Sequence, residues 1–199
     1  MSLFFKNRDG QTPIDPSIIH DLKHSHIQDM SELYEQEREN IAEGIIWLNK
    51  KNHDIYDYFF WLNVHKFMYC NVWKFAGQIR KVELNNTDFK MPYDVRPSLL
   101  ELSRDLANWV DFKTYPEKEM AALFHEKLLT IHPFKDGNGR WARVLTEFVC
   151  KILSIEIPSW GKNIQDDELR RTNYIKAVTL ARHEGQYNDL VNIMFHFEK

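Results

Sequence analysis

The sequence predicts a mostly α-helical domain interrupted by one short β-hairpin. Three observations carry that prediction. Apolar residues recur at helical spacing through most of the chain, most clearly in Trp141, Val144, Leu145, Phe148, Val149, Ile152 and Leu153. Prolines and glycines, among them Gly77, Pro97, Pro116, Pro133, Pro158 and Gly185, fall between such stripes rather than inside them. Only between Gly77 and Pro97 does the pattern change, to Ile79, Val82 and Leu84, then Asn85-Asn86, then Phe89, Met91 and Pro92.

Each element follows from local signals. Residues 1–25 carry Gly10, Pro13 and Pro16 without a period and predict an N-terminal arm; a single domain follows over 26–199. Ser31 can cap a helix running to about Asn49. Asp54 can cap a second, from Ile55 to about Tyr69, with Ile55, Phe59 and Leu62 on one face. The hairpin spans 77–93, although an irregular loop fits its imperfect alternation nearly as well. Pro97-Ser98 opens a helix with the stripe Leu99, Leu102, Leu106, Trp109 and Val110. Pro116 opens the next, through Met120, Leu123, Phe124, Leu128 and Ile131, and Pro133 ends it because proline disfavours helical geometry in the residue before it. The core helix from Trp141 comes next, and two shorter ones, about 166–183 and 187–197, close the chain around Gly185.

Composition bounds the function. With 199 residues, 43% hydrophobic and 28% charged, the chain has the make-up of an ordinary globular protein. At that size a chain buries roughly 70% of its unfolded surface, so it needs no staple. Cys70 and Cys150 sit in apolar helical contexts and predict buried free thiols. A formal charge of -3 supplies no general attraction to nucleic acid or anionic lipid. The absence of a signal peptide or long apolar run predicts a cytoplasmic protein.

The chemistry concentrates in His132-Pro133-Phe134-Lys135-Asp136-Gly137-Asn138-Gly139-Arg140, followed by Arg143. Two arginines in the first turn of a helix oppose its dipole, at about 0.3–1 kcal/mol each. A bound anion removes the conflict, since helix N-termini and glycine-permitted turns aim N–H groups at phosphate oxygens. The alternative for Arg143 is an i, i+4 pair with Glu147 on a solvated face. Gly137 and Gly139 flank Asn138, suiting a tight turn or a backbone wrapped round a phosphate. Asp136 can hold Mg²⁺ beside phosphate oxygens, or simply cap the helix. His132 can act as a general base near neutral pH, or only interact with the preceding helix dipole. Phe134 plugs the loop into the core.

This stretch resembles the signature of the Fic family, His-Pro-Phe-x-Asp/Glu-Gly-Asn-Gly-Arg-x-x-Arg, and meets every specified position. Phe124-His125 and Trp73-Lys74-Phe75-Ala76-Gly77 fall in the family order. Thr12-Pro13-Ile14-Asp15-Pro16, Glu39-Asn40-Ile41 and Trp73 to Gly77 are also similar to the branch called mobile mystery protein B. The resemblance implies a Fic-type helical bundle with a β-hairpin flap. It implies transfer of AMP from Mg-ATP to a Ser, Thr or Tyr hydroxyl of a target protein, while the charge and the lack of a long apolar run already predict no membrane or nucleic-acid partner. His132 would then deprotonate the hydroxyl, and Asp136 would hold Mg²⁺ on the α- and β-phosphates. Gly137, Asn138 and Gly139 would line the anion nest, with Pro133 and Phe134 structural. Arg140 would grip the phosphates and Arg143 the γ-phosphate. The flap would lay a target segment down as an added strand.

Many members of the family restrain themselves with a helix carrying Ser/Thr-x-x-x-Glu-Gly/Asn. Its nearest counterpart, in the helix over 26–50, is Glu39-Asn40-Ile41-Ala42-Glu43-Gly44, which makes Glu43 the inhibitory candidate through a pair with Arg143. Against it, Glu43 is one more acid on a helix already carrying Glu32, Glu35, Glu37 and Glu39. Transfer of another phosphate-containing group, such as phosphate or UMP, uses the same loop. A catalytically silent nucleotide-binding module would not need His132.

Overall fold

Helix α1 (Met30–Asn49) turns Leu33, Glu37, Asn40, Gly44 and Leu48 inward as a buried seam. A Cβ at Gly44 would lie 2.8 Å from the Met68 backbone, so glycine is what allows α1 and α2 (Tyr58–Tyr69) to approach this closely. Asn40 locks the crossing by donating to Phe67 O at 3.1 Å and accepting from Asn71 N at 2.8 Å. This computed structural model describes residues 16–24, 27, 30–50, 53–161 and 166–196. Most of the predicted N-terminal arm, including Thr12 to Asp15, lies outside the described residues.

The remaining helices are α3 (Pro92–Phe112), α4 (Glu117–Ile131), α5 (Asn138–Ile152), α6 (Asp167–Glu184) and α7 (Asn188–Val191), the last running into a π-helical turn, Asn192–His196. Helix α4 packs against α3, α5, α6 and α7, and α2 lies between α1 and α5. Trp61, Phe124, Leu128, Phe134, Trp141 and Leu145 are fully buried. The buried indoles find acceptors: Trp61 donates to Ile55 O at 2.9 Å and Trp141 to Trp61 O at 2.8 Å. A 3-10 turn, Pro16–Asp21, leads into backbone bonds from Lys23 N to Val72 O and Lys74 N to Asp21 O, both 2.9 Å. This part of the arm is tied to the domain.

Several expectations need correction. The 77–93 hairpin does not form: among the described residues there is no strand ladder, only an isolated bridge between Leu22 and Trp73. The segment is an irregular loop organised around the Arg80 side chain, which supplies the hydrogen bonds a partner strand would have made. Helix α2 starts at Tyr58, capped by Asp57, while Asp54 holds the preceding turn through Tyr56 N at 2.9 Å. Its buried face is therefore Phe60, Trp61, Val64, His65 and Met68, leaving Phe59 exposed. Helix α3 starts at Pro92, where the fixed φ of proline suits a first helical position, and Pro97 sits inside it. Ile152 is exposed, because α5 ends there, and Cys70 is only half-buried, whereas Cys150 is fully buried.

Candidate active site

The loop between α4 and α5 begins with strain. His132 takes left-handed geometry, φ 48 and ψ 60, while donating its N–H to Leu128 O at 3.1 Å. Such a conformation in a side-chain-bearing residue costs of order 1–3 kcal/mol and persists only where its surroundings fix it. Arg80, only 2% exposed, does this: Nε donates to His132 O and its backbone N to Pro133 O, both at 2.8 Å. Its remaining nitrogens hold Val82 O at 3.0 Å and Lys90 O. One buried guanidinium thus fixes the catalytic candidate and the loop above it.

The loop interior is closed by its own side chains. Asn138 Oδ1 accepts from Phe134 N at 2.9 Å and Nδ2 donates to Phe134 O at 2.8 Å, so its side chain is spent inside the loop. Phe134 stacks on His65 at 3.6 Å and meets Trp141 edge-on. His65 Nδ1 accepts from Gly77 N at 3.0 Å, which leaves Nε2–H to donate to Asp136 O at 3.0 Å. Burial pushes its pKa down to about 3 and keeps it neutral.

The two glycines differ. Gly137 caps α5 with φ +80, and a Cβ there would lie 2.8 Å from the Tyr69 ring. Gly139 has a helical backbone and nothing within 4 Å of where its Cβ would be. No protein contact demands glycine at 139, whereas a group lying against the open end of α5 would. Tyr69 Oη, beside Gly137, is buried without a hydrogen-bond partner among the described residues. Asp136, its side chain 35% exposed, offers a hard oxygen at this end of the loop. No cluster of three metal-ligating side chains exists among the described residues. One carboxylate beside an anion nest suits Mg²⁺, which keeps phosphate oxygens and water as its other ligands.

His132 Nδ1 lies 3.2 Å from Leu129 O and so carries the proton, leaving Nε2 as the lone-pair nitrogen. Burial is the main cause that lowers its pKa to about 4, opposed by the Leu129 bond and assisted by Arg80 and Arg182. Phe89 stacks flat on the imidazole at 3.6 Å. The loop carrying Phe89 is pinned by Arg182, which bonds Asp88 at 3.1 Å and Thr130 at 2.8 Å and reaches the buried Glu126.

The two signature arginines meet different fates. Arg140 Nη1 pairs with Glu37 Oε2 at 2.5 Å, Nη2 lies 3.6 Å from Asp136, and the guanidinium sits over Tyr69. Glu37 is 1% exposed and its other oxygen accepts from Trp73 Nε1 at 2.7 Å. Arg143 forms no ion pair among the described residues. Its guanidinium lies over the Tyr174 ring at 4.5 Å and the Trp160 ring at 5.6 Å, and its Nε is buried without a hydrogen-bond partner. It borders a cavity of about 430 Å³ lined also by Arg170 and Arg171 and by the acidic residues Asp167 and Glu168. The alternative Arg143–Glu147 pair is replaced by a 2.5 Å bond from Trp160 Nε1 to Glu147. The expected Glu43–Arg143 pair is also absent: exposed Glu43 accepts from Asn71 Nδ2 at 2.8 Å.

His132, Asp136, Gly137, Gly139, Arg140 and Arg143 are thus gathered at the α5 N-terminus, with Glu43 outside the cluster. Sequence reasoning missed Glu37, Tyr69, Arg80, Phe89, Trp160 and Tyr174. Only Glu37 left a signal, as an acid in register with Leu33, Asn40 and Gly44.

The Fic/DOC family model matches residues 53–150. The chain is 36% identical over 78 residues to protein adenylyltransferase fic-1 of Caenorhabditis elegans, a match covering 37% of this chain and 15% of that protein. It is 33% identical over 112 residues to protein adenylyltransferase Fic of Nematostella vectensis, covering 54% of this chain and 24% of the relative. The chain therefore spans only a quarter or less of these relatives' length. The BepC protein of Bartonella tribocorum, solved with bound AMPPNP, superposes with a TM-score of 0.65 at 18% identity, over 84% of this chain and 86% of that one. That likeness concerns the fold.

Proposed function

Because the chain carries a Fic/DOC-family domain across residues 53–150, we propose that it is a protein adenylyltransferase, moving AMP from ATP to a Ser, Thr or Tyr hydroxyl of a target protein. The residues shared with mobile mystery protein B support placing it in that branch. The observation that carries the catalytic reading is the state of His132: its Nδ1–H is tied to Leu129 O, and burial keeps Nε2 unprotonated. A neutral imidazole with one fixed, free lone pair is what a general base for a hydroxyl requires.

In the reaction, His132 Nε2 takes the hydroxyl proton as the hydroxyl oxygen bonds to the α-phosphorus. The bond from that phosphorus to the bridging oxygen breaks, and pyrophosphate leaves with the electron pair. The N–H groups at the start of α5, left open beside Gly139, receive phosphate oxygens. Asp136 would hold Mg²⁺. The metal, when bound, neutralises phosphate charge. Arg143, without a carboxylate partner among the described residues, supplies the cation for the polyphosphate tail.

Incubating the protein and a cell lysate with Mg²⁺ and ATP labelled at the α- or the γ-phosphate tests this. Covalent α-label on protein that disappears in His132→Ala supports AMP transfer. Label from the γ-phosphate alone replaces it with phosphoryl transfer, and no label from either removes the ATP-dependent reading.

A further inference from the structure

Arg143 is held by a chain of buried polar side chains that the proposed chemistry does not use. Thr146 Oγ1 has one hydrogen and donates it to Ala142 O at 2.7 Å. The 3.2 Å contact between Thr146 Oγ1 and His125 Nδ1 must therefore be donated by the histidine. A neutral imidazole carries one N–H, so His125 Nε2 is the acceptor in its 2.7 Å bond with Tyr174 Oη. Tyr174 in turn spends its only hydrogen on His125. Its oxygen has only lone pairs left to present, and the Arg143 guanidinium lies over its ring at 4.5 Å.

His125 and Thr146 are 0% exposed, and the His125 ring packs at a tilt against Trp160 with centroids 4.6 Å apart. Trp160 is in left-handed geometry, φ 56, and its indole N–H is taken by Glu147, the residue one turn after Arg143. Two aromatic faces thus bracket the guanidinium, and the nearest carboxylate on its own helix is engaged elsewhere. The cation is fixed without being neutralised.

We propose that His125, Thr146, Tyr174 and Trp160 are positioning residues that aim Arg143 and preserve its charge for the polyphosphate of the nucleotide. The proposal rests on the transferase reading for the identity of the anion, but not for the positioning itself. A one-proton choice at Thr146 sets the tautomer of His125, which anchors the hydroxyl of Tyr174 and so the ring against which the guanidinium lies.

The test uses the full chain with ¹⁵N-labelled histidine and arginine, as wild type, Tyr174→Phe, Thr146→Val and Thr146→Ser. The ¹⁵N shifts of His125 report its tautomer, and the Arg143 Nε–Hε relaxation reports its order without any ligand. Binding of Mg-ATP and of AMP is measured on the same samples. The wild type is expected to show His125 protonated at Nδ1 and an ordered Arg143 Nε–Hε. Tyr174→Phe keeps the ring but is expected to lose that order and about fivefold in ATP affinity, the effect of roughly one hydrogen bond, with AMP affinity unchanged. Thr146→Val should mix the His125 tautomers with a smaller loss, and Thr146→Ser should restore the wild-type pattern. Protonation at Nε2 in the wild type overturns the proposal, as does unchanged Arg143 order in both folded variants. An equal loss for ATP and AMP overturns it too, by showing a purely structural role. If the wild type binds no ATP, the transferase reading fails, and the Arg143 order measurements still decide the positioning.

Discussion

Arg140 and Arg143 stand three residues apart, in the first and second turns of one helix, yet the protein treats them oppositely. On the α1 side, Arg140 is neutralised by Glu37, itself buried and bonded to Trp73, so three segments meet at one ion pair. On the α6 side, Arg143 is bracketed by Tyr174 and Trp160 and meets no carboxylate among the described residues. The difference separates a cation neutralised within the fold from one that the fold leaves without a paired carboxylate among the described residues. A signature that pairs the two arginines conceals this division.

The largest expected effect tests the division directly. Arg140→Ala leaves Glu37 as a buried, unpaired carboxylate, and breaking such a pair costs about 3–5 kcal/mol. Arg143→Ala is expected to cost under about 1 kcal/mol of stability, in the range of a partly exposed site, while lowering kcat/KM for ATP by roughly 10²-fold. Denaturant unfolding and steady-state kinetics on both variants check this. If Arg143→Ala were the more destabilising, the comparison would collapse.

Acidification should act on both sides at once. His65 and His125 have pKa values lowered to about 3 and His132 to about 4, chiefly by burial. In the unfolded chain each returns to about 6.5. Between those values the unfolded state binds more protons, so stability falls as pH drops below about 6.5 and levels off only below about 3. Thermal unfolding between pH 7 and 4 measures the fall, and a flat profile would contradict burial of the neutral rings. For the base, kcat/KM is expected to stay level through pH 6.5 and across the range in which the protein remains folded, because the titration of His132 is pushed down to about 4.

How much of this was legible in the sequence follows from how far each contact reaches. Helices α1, α4, α5 and α6 announced themselves because their stripes and terminal prolines are local, although Ser31 lies inside α1 rather than capping it. The chemistry-bearing loop was equally local, its residues contiguous in the chain. The partners were not: Glu37 meets Arg140 across 103 positions and Arg80 meets His132 across 52. No period or propensity encodes such a pair. The hairpin failed for a related reason. Ile79, Val82 and Leu84 can alternate as a strand, but Arg80, the residue that satisfies the backbone of that segment, reads in sequence as an ordinary surface cation. Gly44 belongs to the same group: what demands it is the Met68 backbone 2.8 Å away, a contact that no local signal encodes.

The glycines sharpen the contrast at smaller amplitude. Gly137→Ala must hold φ +80 and displace the Tyr69 ring, a loss of about 1–3 kcal/mol. Gly139→Ala faces open space in a helical conformation and is expected to gain a few tenths of a kcal/mol, since alanine is the better helix former. The same methyl group would stand where phosphate oxygens approach, so ATP affinity should fall as stability rises. Calorimetric binding beside a melting curve separates the two. Unchanged affinity in Gly139→Ala would remove the open end of α5 from the binding site.

The smallest effect concerns Glu43. Its carboxylate is exposed, bonded to Asn71 and unpaired with Arg143, so it does not compete for the proposed polyphosphate position. Glu43→Ala loses one solvent-screened hydrogen bond and gains helix propensity, and the two should cancel to within about 0.5 kcal/mol. Transfer activity is expected to stay within about twofold of wild type, given surface electrostatics of this size. A large rise in α-label incorporation would mean that α1 moves in solution to bring Glu43 onto Arg143. That movement would have to break the Asn40 locks on Phe67 and Asn71 and the Glu37–Arg140 pair, so any gain in activity should come with a measurable loss of stability in α1.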